Sequence, residues 1–148
     1  MKNIQIVSKV LFSPLVRSTA LLLTTLLFSA ITFAGVSVIV HPSNNASLDK
    51  KAIGKIFLGK KKKFPDGGQA VPIDVESAKA EFTKKVLGKS ASQIKAYWSK
   101  LVFTGKGQAP RSVGSDAEMI ELISKNPNMI GYIDDSSVNG SVKVISKF

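Results

Sequence analysis

The 148-residue chain has no cysteine, one histidine, one tryptophan and only ten acidic residues against twenty-one basic ones. Without cysteine there is no disulfide framework, no thiolate nucleophile and no thiolate metal site, so stability after folding rests on packing. The lone histidine, His41, stands beside Pro42 where an apolar run ends and reads as a structural or solvent-facing residue. A zinc centre needs several imidazole or sulfur ligands that the chain does not have. No HExxH, GxSxG or phosphate-loop pattern occurs, and with one imidazole and no thiol no catalytic constellation can be assembled around the usual bases. The composition therefore points away from an enzyme, and no cofactor is implied.

What is abundant is positive charge, +11 overall. A basic surface draws anions through its summed field. Part of that charge sits at the start, where Lys2, Lys9 and Arg17 precede the apolar stretch Ala20 to Phe33, and the small residue Ala34 follows. A basic n-region, an apolar h-region and a small-residue exit are the marks of a secretory signal peptide. The apolar run is shorter than the ~18 to 20 residues of a membrane-spanning helix, which favours cleavage after Ala34 over an uncleaved anchor. The expectation is a signal peptide over residues 1–34, a single domain over 35–148, and periplasmic delivery. Removing the three leading cations leaves the product at +8 from +11. An exported protein rarely meets nucleic acid, so its anionic partners are inorganic oxyanions, lipid headgroups or an acidic envelope protein.

Within 35–148 apolar periodicity alternates between two and three to four residues. Val36 to Val40 is β-branched and reads as a buried strand, and Ser47 can cap a helix through Leu48, Ala52, Ile53, Ile56 and Phe57 that stops at Gly59. After four lysines and Phe64-Pro65-Asp66-Gly67-Gly68, Ala70 to Asp74 reads as a strand; Pro72 cannot donate to a ladder, which places it at an edge or forces pairing around the ring. Ser77 opens a helix to Leu87-Gly88. Ser90 and Gln93 form a capping box ahead of Ile94, Tyr97, Trp98, Leu101 and Val102, one helical face. Thr104 to Gly114 reads as loop, Ser115 with Glu118 caps another helix, and Asn126-Pro127 ends it. Met129 to Ile133 and Val142 to Ile145 read as strands, with Asn139-Gly140 favouring a hairpin between them. Strands interleaved with helices imply an α/β domain with a mixed central sheet covered by helices.

The phrases IFLGKKKKFPDGGQAVPID, EFTKKVLG, YWSKLVFTG and NPNMIGYID, in that order between Ile56 and Asp134, resemble the phosphate-type substrate-binding proteins of bacterial ABC uptake systems. The resemblance covers most of 35–148 but only one lobe's worth of proteins that normally have two. It implies a single lobe of the type II periplasmic-binding-protein fold, a phosphate or similar oxyanion as ligand and an ABC permease as partner. The family holds its oxyanion with an arginine and a Ser-Gly-Thr phrase after the second strand. Here the matching stretch is Ile73 to Lys79, where Ser77 survives, Asp74 stands at the arginine position and Glu76 adds a second carboxylate. Two carboxylates beside an anion oppose it unless one is protonated or paired.

The candidate oxyanion contacts are Ser43 and Asn44 after the first strand and Ser77, Ala78 and Lys79 after the second, with Arg111 or Lys79 compensating the carboxylates. Each serine also has an ordinary reading as a helix cap. A third hydroxyl-bearing helix start is Ser112 to Ser115, before the last helix; the first two follow strands and are expected at one sheet edge, where ligands of open α/β folds sit. One lobe leaves an oxyanion half solvated, so a homodimer or a partner protein would have to supply the second wall. The rival reading is a lobe without a ligand that docks to an envelope protein or membrane through its basic surface.

Overall fold

A computed structural model describes residues 35–148. The expected signal peptide lies outside the described residues. Five strands and four helices alternate along the chain: β1 (Val36–Val40), α1 (Lys50–Phe57), β2 (Val71–Val75), α2 (Lys79–Phe82), α3 (Ala91–Phe103), β3 (Arg111–Val113), α4 (Asp116–Ser124), β4 (Met129–Asp134) and β5 (Lys143–Lys147). The strands form one mixed sheet in the order β3-β2-β4-β1-β5. β2 runs parallel to both β3 and β4, whereas β1 is antiparallel to β4 and to β5.

This order corrects the hairpin expected of Asn139-Gly140. β4 and β5 are not neighbours; β1 lies between them, pairing Val38 with Tyr132 on one side and with Ser146 on the other. Every residue of β1 is buried, as a near-continuous apolar strand covered on both faces requires. Pro72 is accommodated without being at an edge. It pairs with Ile130, but β3 begins only opposite Ile73, so no strand asks the proline for the donor it lacks.

The two faces of the sheet carry different helices. On one, Tyr132 stacks on Phe82 at 3.9 Å between ring centroids, and Phe57 packs against both rings, which seats α1 and α2 there. On the other, Met119 of α4 lies directly over Gly131. Phe57, Phe82, Met119, Ile130 and Tyr132 are at most 2% exposed, and burying a side chain of this size contributes about 1.5–3 kcal/mol.

Helix ends were legible with two exceptions. α1 is capped by Asp49, whose carboxylate accepts from Ala52 N–H at 2.7 Å, rather than by Ser47. α2 begins at Lys79 behind Ala78, which offers no side-chain cap, and continues through a π-type turn (Thr83–Leu87) to Gly88. The capping box of Ser90 and Gln93 on α3 is formed in full, as is the Ser115 hydroxyl cap of α4. Of the apolar stripe of α3 only Trp98 is buried, while Val102 is 55% and Phe103 94% exposed. This helix flanks the domain rather than entering its core.

Candidate functional site

Topology sorts the loops into two groups. Because β1 is antiparallel to β4 while β2 is parallel to it, the segment after β1 and the segment after β2 leave the sheet at opposite ends. Ser43 and Asn44 are therefore separated by the length of the sheet from Ser77, Ala78 and Lys79, contrary to the expectation of a shared edge. Both early residues have local partners. The Asn44 side chain is buried and accepts from Ala46 N–H at 2.8 Å, and Ser43 Oγ lies 2.7 Å from His41 Nδ1.

At the end where β2, β3 and β4 finish, carboxylates dominate. Asp74, Glu76, Asp116, Glu118, Asp134 and Asp135 gather there, six of the ten acids in the chain. Asp74 and Tyr132 share one sheet face, and the phenol donates to Asp74 Oδ1 at 3.2 Å. Lys79 Nζ lies 3.8 Å from Asp74 Oδ2 and 3.1 Å from Glu76 Oε1, and Ser112 Oγ donates to the same Glu76 oxygen. Burial raises the Asp74 carboxyl above the usual carboxylate range, against the pull of Lys79 and the Tyr132 hydrogen bond. Glu76 is held below its range, first by Ser112 and then by Lys79. The Tyr132 phenol is pushed far up by burial and by the Asp74 charge, so it acts only as a donor.

The hydroxyl and amide donors of this end are engaged by the chain itself. Ser77 Oγ donates to Asp116 Oδ1 at 2.5 Å, the second Asp116 oxygen accepts from Asp134 N–H at 3.1 Å, and Gly114 N–H donates to Glu118 Oε2 at 3.1 Å. Ala78 is buried. The structure thus brings together Ser77, Ala78 and Lys79. It joins to them Ser112, from the third hydroxyl-bearing stretch, and adds Asp116 and Tyr132, which the sequence reading did not name as site residues. Tyr132 was detectable from the alternation of Met129 to Asp134. The strand state of Ser112 was not legible, because a three-residue strand has too little periodicity to register.

Arg111 belongs to the other end of β3. Its side chain lines a groove of about 520 Å³ with Lys61, Lys62, Lys63 and Trp98. A second groove of about 700 Å³ adjoins it, sharing Gly59, Lys62, Trp98 and Gln108. On the opposite flank of α3 a third groove of about 650 Å³ reaches from Trp98 and Ile94 to Asp74, Glu76 and Lys79. Gly59 makes the approach of α3 possible. Its φ of +68° is one an L side chain resists, and a Cβ there would stand 3.2 Å from the Trp98 ring. Among the described residues no group of three or more His, Cys, Asp or Glu is placed to hold a metal ion.

No family model and no curated protein matches the sequence. Solved structures do match in fold. A phosphate ABC transporter substrate-binding protein with bound phosphate from Clostridium perfringens superimposes with a TM-score of 0.60 at 21% identity, over 76% of this chain and 44% of that one. PstS from Borrelia burgdorferi gives 0.55 at 18% identity, over 76% and 47%. An ABC-type phosphate transport receptor from Vibrio cholerae gives 0.53 at 17%, over 76% and 46%. The chain has the fold of one part of these proteins and spans under half the length of each.

Proposed function

We propose that this chain is a non-catalytic, solute-binding-type domain, exported to the periplasm, whose ligand is an inorganic oxyanion with phosphate the first candidate and whose working partner is an ABC permease. The observation that carries this reading is the fold: two of the similar structures above are described as a phosphate transport receptor and as a phosphate ABC transporter substrate-binding protein with bound phosphate. The site we assign lies where β2 opens into α2, using the backbone donors of Ala78 and Lys79, the Ser77 hydroxyl turned from Asp116 to the anion, and the Lys79 ammonium turned from Glu76. Asp74 conditions it. A carboxyl whose pKa is already raised can take up a proton as an anion approaches, and then donates instead of repelling. Lowering the pH toward that of Asp74 therefore strengthens binding. An oxyanion held only by residues 35–148 keeps one side in water, so further protein surface against that side would strengthen binding.

Titration calorimetry of the protein with phosphate, sulfate and molybdate tests the reading. We expect a saturable phosphate signal that is abolished in Ser77→Ala and strengthened in Glu76→Gln, which removes a fixed negative charge. No heat with any of the three oxyanions, at either neutral or mildly acidic pH, would overturn it.

A further inference from the structure

The two grooves on the Gly59 side of α3 have a charge pattern that phosphate binding at Ser77 leaves unexplained. Their walls carry six cations, Lys60, Lys61, Lys62, Lys63, Lys106 and Arg111, and no acid. None of these six side chains makes a hydrogen bond or ion pair among the described residues. The only acid of the same loop, Asp66, turns back to accept Gly68 N–H at 3.0 Å. Six like charges held without counterions along one concavity repel one another, a cost tolerated where a partner of opposite sign relieves it.

Apolar surface accompanies the charge. Among the described residues the exposed large hydrophobics are Val71, Val102 and Phe103. Val71 lines one groove, Val102 lines the other with Tyr97, Trp98 and Leu101, and Phe103 adjoins Val102 at the end of α3. Val102 also lines the third groove, and apolar side chains left exposed along a groove mark a contact surface.

We infer that this double groove is a docking site for an acidic, extended polypeptide segment of a partner protein, one that alternates carboxylates with apolar side chains. The chemistry discriminates against other anions. A single oxyanion can neutralise no more than two or three of the six cations. A polyphosphate chain offers nothing to cover Leu101 and Val102. A bilayer presents a plane of headgroups, whereas these cations line the walls of a concavity. An extended peptide reaches both walls, setting carboxylates against the lysines and every second side chain against α3. The inference does not rest on phosphate binding, which is assigned to the other end of the sheet.

The test uses a fluorescein-labelled nine-residue peptide alternating glutamate with leucine and phenylalanine, read by anisotropy and by the emission of Trp98, the only tryptophan. Polyphosphate, vesicles of anionic phospholipid and a peptide with lysine in place of glutamate run in parallel. We expect saturable binding of the acidic peptide and none of the lysine peptide. Lys60→Glu with Lys62→Glu should weaken it about tenfold or more, because rim charges of the correct sign become repulsive. Val102→Ser with Phe103→Ser should weaken it about fivefold through lost apolar contact. The altered side chains are all on the surface, and unchanged circular dichroism and melting confirm folding. Failure of the acidic peptide to bind, binding indifferent to both double substitutions, or equal binding of vesicles or polyphosphate in the Ser double variant would each overturn the inference.

Discussion

Gly131→Ala tests the packing that holds the helix layer to the sheet. A Cβ at this position would lie 2.4 Å from Met119 Sδ, 3.1 Å from Cε and 3.2 Å from Cγ, whereas unstrained contacts between such atoms are about 3.5–4.0 Å. The overlap exceeds an ångström at the sulfur, and Met119 is 0% exposed, so the thioether has no solvent to swing into. β4 cannot yield readily because it is hydrogen-bonded to β1 on one side and β2 on the other. α4 must lift instead. Overpacking of this kind costs about 1–3 kcal/mol, which at about 4 °C per kcal/mol for a domain of this size lowers the melting temperature by about 4–12 °C. Circular dichroism during urea and thermal unfolding measures it. The decisive comparison is with Met119→Ala, which alone should cost about 2–5 kcal/mol by opening a cavity. In the double variant the new methyl enters the vacated space, so the two costs should fall short of additivity by about 1 kcal/mol or more. A Gly131→Ala variant as stable as the parent, or strictly additive costs, would refute the steric account.

Two further outcomes follow from the site and its flank. Asp74→Asn should make the protein more stable at neutral pH by about 1 kcal/mol, since Asn can still accept from Tyr132 without a partly buried charge. The folded-state pKa of Asp74 is raised above 3.8, so ionising it costs stability at neutral pH, and that cost is relieved as pH falls through the folded value. The stability curves of parent and variant should thus converge on acidification; a gap that stays constant down to pH 4, or an Asn variant less stable at neutral pH, would contradict this. Ser90→Ala removes the capping box of α3, a loss of about 1 kcal/mol. Because α3 contributes only Trp98 to the interior, hydrogen exchange of its amides should quicken about fivefold. Loss of global stability with no change in that exchange would show that α3 is part of the cooperative core.

The strands Val36–Val40 and Met129–Asp134 were legible because burial on both faces leaves a short, nearly continuous apolar run. Ser90 with Gln93 and Ser115 with Glu118 announced their helices because a cap is a local hydrogen bond written within four residues. The loop reading of Thr104 to Gly114 failed at Arg111–Val113, whose strand state is conferred by pairing with β2 rather than by its own residues. The stripe Ile94, Tyr97, Trp98, Leu101 and Val102 announced a helix, of which only Trp98 is buried. Periodicity records which residues share a face, and says nothing of whether another element covers it.

Residue chemistry along the chain thus determined the α/β alternation, the excess of positive charge and the absence of thiol and imidazole machinery, because these depend on composition and on contacts between near neighbours. Strand order was decided only in three dimensions. Placing β1 between β4 and β5, antiparallel to both, sent Ser43 and Asn44 to one end of the sheet and Ser77 and Lys79 to the other. The same step gathered carboxylates where β2, β3 and β4 finish and left six unpaired cations beside α3. Strand direction depends on pairing between distant segments, as far apart as Ser37 and Lys147, which no local pattern encodes.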